Sequence, residues 1–489
     1  MAGVIRAVEN PKLSLNCLSP DEIRQIHQAT LEVIETVGVR FPSKRAQEIW
    51  AAHGAQVDFT TGIVKAPAHL IEAALRQAPP VYTLAARNPQ QDLPLDGKHV
   101  WVGTDGCGVE IIDLYSGERR RSRLQDVEEI ARVADALEAV AFHWVALSAQ
   151  DKPAHTRGLH ELAAVWRNST KHVQTESIYN AREARAAVEM ATVVAGSREA
   201  LRRRPVLSLM QCTAPPLAHD GGSLDAALIG AEAGLPVGFM TMSACLTTGP
   251  ATLAGNLVVG NAEVISATAL IQLAFPGAPV FYAAAQTASD PRSGAYTGGG
   301  PEDFLFGAAG GLLADFYNIP ISMGAFATGA KQPDWQAGLE NTFSTLMASI
   351  VVCDMLLGVG FLHGSRIWSY EQMLMDCEIY EIVRRVLAGI EVNRETLALD
   401  VIRAVGPGGN FLTHKHTRAH MRELFVPQYL DRRPYNVWEE KRDGPRDWAR
   451  ARARKLVETH CPNPLDPAVA RELERIIASE EAEKATHEA

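Results

Sequence analysis

The sequence has no CxxC pair. Its seven cysteines, Cys17, Cys107, Cys212, Cys245, Cys353, Cys377 and Cys461, are scattered, and several sit inside apolar runs. An odd, dispersed set of thiols argues against a disulfide framework and for a reducing compartment. There is no basic surplus either. The net charge of −10 excludes a general affinity for nucleic acid, which needs a positive field against phosphate. No stretch reaches the roughly 18 uninterrupted apolar residues of a spanning helix. The N-terminal MAGVIRAVENPKLSLNCL lacks the apolar core and cleavage site of a signal peptide. A cytoplasmic protein without a membrane or nucleic-acid partner is expected. No glycine-rich turn opens onto a helix after the first strand-like run, and no HExxH is present, which sets aside the dinucleotide fingerprint and the commonest zinc-protease motif.

What is present is an ordinary globular composition, 47% hydrophobic and 21% charged over 489 residues, organised in three parts. Residues 1–98 read as an α+β cap. Ser19-Pro20-Asp21-Glu22 opens a helix, with Ser19 as N-cap, Pro20 in the first turn and acids at the positive end of the dipole. Further helices are expected at 43–52 and 67–77, with a hairpin turning at Thr60-Thr61-Gly62. From His99 the pattern changes. Strand-like runs at 99–103, 141–147, 172–178, 206–212, 237–244, 279–286, 320–327 and 355–362 alternate with helical runs such as 124–138, 181–196, 220–234, 250–273, 301–317, 336–353 and 369–389. Eight such units predict an α/β fold, a TIM (β/α)8 barrel over 99–390. An open doubly wound sheet would have fewer strands and a glycine-rich first turn. The first unit carries an insertion, Gly108 to Arg123, with a hairpin turn at Asp113–Gly117. Residues 391–489 read as a C-terminal helical extension, with a helix opened by Asn393 and two polar helices near 446–459 and 467–482.

Barrel active sites lie on the loops after the strands' C-terminal ends. That rule selects Asp105, Trp144, Glu176, Cys212, Arg292, Lys331, His363 and Arg366 as polar or aromatic candidates, and the glycine-rich loop from Ser289 to Gly300 as a candidate lid. The aromatic residues Trp144, Tyr282, Phe326 and Phe361 fall on or near strands, where ring faces can hold a quaternary ammonium. A single aromatic in a barrel is nonetheless more often core. Arg292, Lys331, His363 or Arg366 can hold a carboxylate, and Asp105 and Glu176 a cation. His143, Cys212, Cys245 and His363 lack the close pairing of zinc ligands, and His416 and His420 lack the acid between them; no metal is expected on this chain. Cys212 is a nucleophile only by position, and a buried, inert thiol is the plainer reading.

Several segments together resemble the trimethylamine methyltransferase family: Leu18-Ser-Pro-Asp-Glu-Ile-Arg-Gln-Ile-His27 through Glu35-Thr-Val-Gly-Val-Arg-Phe41; Asp113-Leu-Tyr-Ser-Gly-Glu-Arg-Arg120; Gln332-Pro-Asp-Trp-Gln-Ala-Gly-Leu-Glu340; Ser369-Tyr-Glu-Gln-Met-Leu-Met-Asp-Cys-Glu378; and Gly408-Gly-Asn-Phe-Leu-Thr-His414 through Asp431-Arg432. The resemblance runs from about residue 18 to 460. It implies a barrel that transfers a methyl group from a methylated amine to the cobalt of a separate corrinoid protein. Members acting on trimethylamine carry pyrrolysine near the barrel mouth. This chain contains only ordinary amino acids, and non-pyrrolysine relatives demethylate quaternary amines such as glycine betaine, so a small betaine is the implied donor. No Asp-x-His-x-x-Gly corrinoid motif occurs here, so the implied Co(I) acceptor is a corrinoid protein partner or free cobalamin. Alternatives are direct transfer to tetrahydrofolate, a sulfonium donor, a non-catalytic betaine-binding protein, or an unrelated barrel lyase or aldolase, for which only Lys331 is eligible. Family members assemble as homo-oligomers, and the same is implied here.

Overall fold

Eight short parallel strands form a closed ring: β1 (His99–Gly103), β2 (Val140–Trp144), β3 (His172–Thr175), β4 (Leu207–Cys212), β5 (Val237–Thr241), β6 (Val280–Ala284), β7 (Ile321–Gly324) and β8 (Met355–Leu357). Each pairs with its sequence neighbour. β8 closes on β1 through Met355 beside Trp101 and Leu356 beside Val102. This is a TIM barrel, seen in a computed structural model that describes residues 8–9, 15–106, 108–296 and 298–487. Cys107 of the cysteine inventory lies outside the described residues, as does Thr297 of the candidate lid. Buried on both faces, the strands need apolar residues at nearly every position rather than alternation, which is why they read as short continuous runs.

Side-chain parity divides the strand residues between the barrel interior and the helix layer. Trp101, Phe142, Trp144, Met210, Met240, Phe281, Met355 and Leu357 fill the interior. Two glycines make room for the rings: a Cβ on Gly103 would come within 2.4 Å of Phe142, and one on Gly238 within 1.9 Å of Phe281. Leu84, Leu93 and Leu95, from the small antiparallel pair Tyr82–Leu84 and Leu93–Leu95, join the same cluster. They close the N-terminal end of the barrel, where Trp101 Nε1 donates to Pro94 O (2.8 Å) and Tyr82 OH to Val280 O (3.0 Å). Only the C-terminal end is left for a site.

The first helix, Pro20–Thr36, starts at Ser19 with a reciprocal capping box to Glu22. It packs on the long helix Leu253–Ala274, as does the short helix Ala68–Leu75. By length and hydropathy Leu253–Ala274 could cross a membrane, although its run of apolar residues is interrupted. Its apolar window is 78% buried, between β5, β6 and the N-terminal helices, so its composition is that of a core helix. A helix at Arg157–Asn168 completes the ring between β2 and β3. The insertion after β1 forms strands Glu110–Ile112 and Arg119–Arg121, which pair with each other and with Ile367–Trp368 from the β8 loop. In the C-terminal part, Asn393 does not open a helix. Its side chain accepts from the backbone N–H groups of Glu395 and Thr396, an Asx-type turn that competes with helix, and the helix spans Leu399–Val405. Helices Pro445–Thr459 and Pro467–His487 return to the barrel, against Tyr370–Leu387 and Ala181–Ala195 respectively.

Substituting Gly238→Ala places a methyl group inside the Phe281 ring. The expected cost is about 1–3 kcal/mol, read as a lowered Tm by calorimetry. An unchanged Tm would mean that this interior layer is not closely packed.

Candidate functional site

The floor of the open end is set by inward-facing residues at the strand tips. Trp144 ends β2 and Cys212 ends β4; Glu176 and Asp105 follow β3 and β1. Cys212, Met242 and Ala285 are half-buried and cap the interior cluster from above. The Cys212 thiol donates to Glu176 Oε2 (3.5 Å). Burial, then the negative charges of Glu176 and Asp105, push that thiol well above its ordinary range, so it stays protonated. Asp105 accepts from Gly106 N (2.8 Å) through Oδ1 and from Ser365 Oγ (2.6 Å) through Oδ2. Gly106 lies flat on the Trp144 indole, where a Cβ would come within 2.1 Å of Nε1. Among the described residues that buried Nε1–H has no hydrogen-bond partner. Two carboxylates and a neutral thiol therefore share the floor, over a fully buried indole.

Buried acids in the helix layer pin the loops around this floor. Glu263 accepts from Thr213 Oγ1 (2.6 Å), Thr241 Oγ1 (2.9 Å) and Leu217 N (2.8 Å), tying the β4 and β5 ends together, and burial pushes it up to about 6. Glu161 accepts from Ala149 N (2.7 Å) behind the β2 loop, and burial pushes it up to about 7.

The rim above one side is basic. His363, Gly364 and Ser365 form a run of three left-handed residues. Such backbone costs of order 1 kcal/mol or more at each non-glycine position, and it is held because His363 N donates to Ala330 O (2.8 Å) and Gly364 N to Thr328 O (2.9 Å). The turn presents Ser365 to Asp105 and leaves His363 half-buried on the rim. Burial, then the charges of Lys331, Arg366 and Arg119, hold the His363 imidazole below its ordinary pKa. Lys331 itself is exposed, with Nζ donating to Gly329 O.

The loop after β6 crosses the other side. Its Tyr296 ring lies against Gly364, where a Cβ would approach to 2.7 Å, and against Gly298. Gly299, at φ +85°, packs on Glu340, whose carboxylate also accepts from Thr328 Oγ1 and Gly329 N. The loops after β6, β7 and β8 thus interlock at backbone distance, which accounts for the glycines. Beneath them lies a small cleft lined by Ala285, Gly324, Ala327, Tyr296 and Asp303, among others.

Of the residues selected from sequence, the structure brings Asp105 and Glu176 together on the floor and Lys331 and His363 together on the rim, while Trp144 lies beneath the floor, fully buried, with no ring face open to a ligand. Four go elsewhere. Tyr282 has outward parity, and its hydroxyl donates to Asn261 Oδ1 (3.2 Å) in the helix layer. Phe326 is fully buried in the main core. Phe361 packs edge-on against Trp368 (centroids 5.1 Å apart) in the same core. Arg292 is 89% exposed and pairs with Asp290 of its own loop (2.9 Å). Sequence reasoning did not single out Arg119, Tyr296 or Glu340; the run Arg119-Arg120-Arg121 in a strand was the available signal for the first. The rings of His416 and His420 lie 4.2 Å apart in the C-terminal part, and no group of three or more metal-ligating side chains occurs among the described residues.

The family model for trimethylamine methyltransferase (MTTB) matches residues 1–485. A trimethylamine methyltransferase of Desulfitobacterium hafniense is 36% identical over 99% of this chain and 97% of its own length. A glycine betaine methyltransferase of the same species is 33% identical over 95% of this chain and 96% of its own. Among solved structures, the monomethylamine methyltransferase of Methanosarcina barkeri aligns with 92% of this chain and 96% of its own, at 12% identity and a TM-score of 0.48.

The protonated state of Cys212 is testable by alkylation at pH 8 followed by mass spectrometry. Exposed Cys461 is expected to label at least about tenfold faster than Cys212. Glu176→Gln is expected to speed Cys212 labelling by removing a charge that opposes the thiolate. Equal labelling of the two cysteines would contradict the acidic floor.

Proposed function

The chain belongs to the trimethylamine methyltransferase family, and from that premise we propose that it takes a methyl group from a small quaternary amine of the glycine betaine kind and delivers it to the Co(I) of a corrinoid. The corrinoid comes on a partner protein or as free cobalamin, in the cytoplasm, and the enzyme works as a homo-oligomer. The observation that carries the reading is the charge layout of the barrel mouth: Asp105 and Glu176 on the floor, and Lys331, Arg366 and Arg119 around His363 on the rim. A zwitterion with an ammonium at one end and a carboxylate at the other matches that polarity. Two relatives carry the names of trimethylamine and glycine betaine as substrates. The absence of pyrrolysine in this chain favours the already quaternised donor.

When bound, a Co(I) corrinoid supplies a two-electron nucleophile. The chain's own residues bind, orient and exclude water. The N–CH3 bond breaks with its electron pair staying on nitrogen, so a neutral tertiary amine leaves and no proton has to move. That explains a floor without a general acid: Cys212 is held protonated but is engaged with Glu176. It also assigns the carboxylates a particular role. The ammonium charge disappears as the methyl group departs, so Asp105 and Glu176 favour the bound substrate over the transition state. They raise affinity and do not accelerate the chemical step. Rate comes from aiming one methyl group along the barrel axis.

Glu176→Gln is therefore expected to raise KM for the betaine by about tenfold while changing kcat by less than about threefold, followed as the substrate-dependent change in corrinoid absorbance. A fall in kcat at constant KM would overturn this assignment. The absence of any absorbance change with the wild-type protein and any quaternary amine would overturn the proposed reaction.

A further inference from the structure

The helix layer holds a cavity that the barrel mouth does not use. It lies between the helices after β7 and β8, Trp335–Ile350 and Tyr370–Leu387, and encloses about 500 Å³. Met375, Ile379 and Ile382 recur along one face of the second helix and form an apolar wall. Tyr429 and Leu430 also line it. Gly338 leaves room on the first helix, since a Cβ there would meet nothing within 4 Å. A concave, largely apolar cavity of this size, with a few placed polar groups, has the form of a small-molecule site.

Two polar side chains lining this cavity carry unmet hydrogen-bonding atoms. The first is Gln372, which is 1% exposed. Its Nε2 donates to Asp376 Oδ1 (2.7 Å), which also accepts from Asn341 Nδ2 (2.8 Å), while Asp376 Oδ2 accepts from Gly360 N (2.9 Å). Asp376 does not line the cavity, so Oε1 is the amide atom left for it. Among the described residues that buried Oε1 has no hydrogen-bond partner, a state that costs about 1–3 kcal/mol. The second is Arg446, half-buried in the first turn of the helix Pro445–Thr459. Its Nε–H is buried and, among the described residues, also without a partner. A guanidinium there adds its charge to the positive end of the helix dipole, a place that favours an anion. The acids lining the cavity are engaged elsewhere. Asp334 accepts from Gln336 N and Ala337 N as the cap of its helix, and Glu378 accepts from the backbone N–H groups of Gln428, Tyr429 and Leu430.

We propose that this cavity is a second ligand site, for a small apolar acid that carries an N–H or O–H donor. The donor satisfies Gln372 Oε1, the carboxylate pairs with Arg446, and the apolar body fills the space along Met375, Ile379 and Ile382. Such a ligand differs in kind from the methyl donor at the mouth, because glycine betaine has neither an apolar body nor a hydrogen-bond donor. The site stands apart from the proposed reaction, and its readout is binding. It communicates with the mouth through one carboxylate: Asp376, which holds Gln372, also holds Gly360 N in the segment that leads from β8 to His363 and Ser365.

The probe is indole-3-acetate, which has the apolar body, the N–H and the carboxylate. Two comparison compounds each lack one feature: 1-naphthaleneacetate the N–H donor, and indole the carboxylate. Calorimetric titration of the full-length protein is made at pH 8, where Asp376, pushed up to about 7 by burial, is ionised. Saturable binding of indole-3-acetate is expected, with the other two compounds about tenfold weaker. Arg446→Met is expected to weaken indole-3-acetate about tenfold and to leave indole unchanged. Gly338→Leu puts a side chain into the cavity and favours its helix, so it is expected to abolish binding of all three while circular dichroism shows a folded protein. Saturating glycine betaine is expected to leave the titration unchanged. No saturable binding of indole-3-acetate, equal binding of the three compounds, binding that survives Gly338→Leu, or competition by glycine betaine would each overturn the proposal; the last would place the probe in the mouth. A wild type that binds no probe, with a Gly338→Leu variant of altered oligomeric state, would give the cavity to a protein chain instead.

Discussion

Closing β8 against β1, with Met355 beside Trp101 and Leu356 beside Val102, turns eight strands into a ring in which every residue must face either inward or outward. The rest of the structure follows from that constraint. Inward positions crowd, so rings such as Phe142 and Phe281 sit opposite Gly103 and Gly238. The small hairpin carrying Leu84, Leu93 and Leu95 closes the lower end. Polar side chains inside the barrel either bond one another, as His172, Ser208 and Gln174 do, or lie at the upper edge, where Asp105, Glu176 and Cys212 meet. Outward polar groups such as Thr241 and Tyr282 are claimed by Glu263 and Asn261 of the long apolar helix Leu253–Ala274.

The same constraint explains what could be read from the sequence. The eight-fold alternation was legible because strands buried on both faces appear as short apolar runs, and because helix starts such as Ser19-Pro20 carry their own caps. The strand-end positions of Asp105 and Glu176 were legible from the alternation; that Trp144 turns into the interior and is fully buried was not. Tyr282 and Phe361 were misleading because parity, not position along the chain, decides where a ring points. Tyr282 lies one residue from Phe281, which does face inward. Arg119 was hidden because its relation to His363 depends on the insertion after β1 pairing with the β8 loop, a contact between residues far apart in sequence. Asn393 shows the local version of the problem: the same side chain that caps a helix can instead close a turn.

The mouth is an assembly of strained and glycine-dependent loops over a rigid ring. Left-handed backbone at His363 and Ser365, and the close seating of Tyr296 on Gly364 and of Gly299 on Glu340, are tolerated because each loop is hydrogen-bonded to the next. That arrangement fixes an acidic floor below a basic rim. It offers a zwitterion an orientation without offering it a nucleophile or an acid. Methyl transfer from a quaternary amine needs nothing more from the protein than that orientation and the exclusion of water.

The most direct measurement of this account is calorimetric titration of the full-length protein with glycine betaine, proline betaine, carnitine, choline and trimethylamine. Selective binding of a zwitterionic quaternary amine, with choline weakened by the loss of its carboxylate and trimethylamine weaker still, is the predicted result. Binding of trimethylamine as tightly as the betaines, or of none of the five, would contradict it.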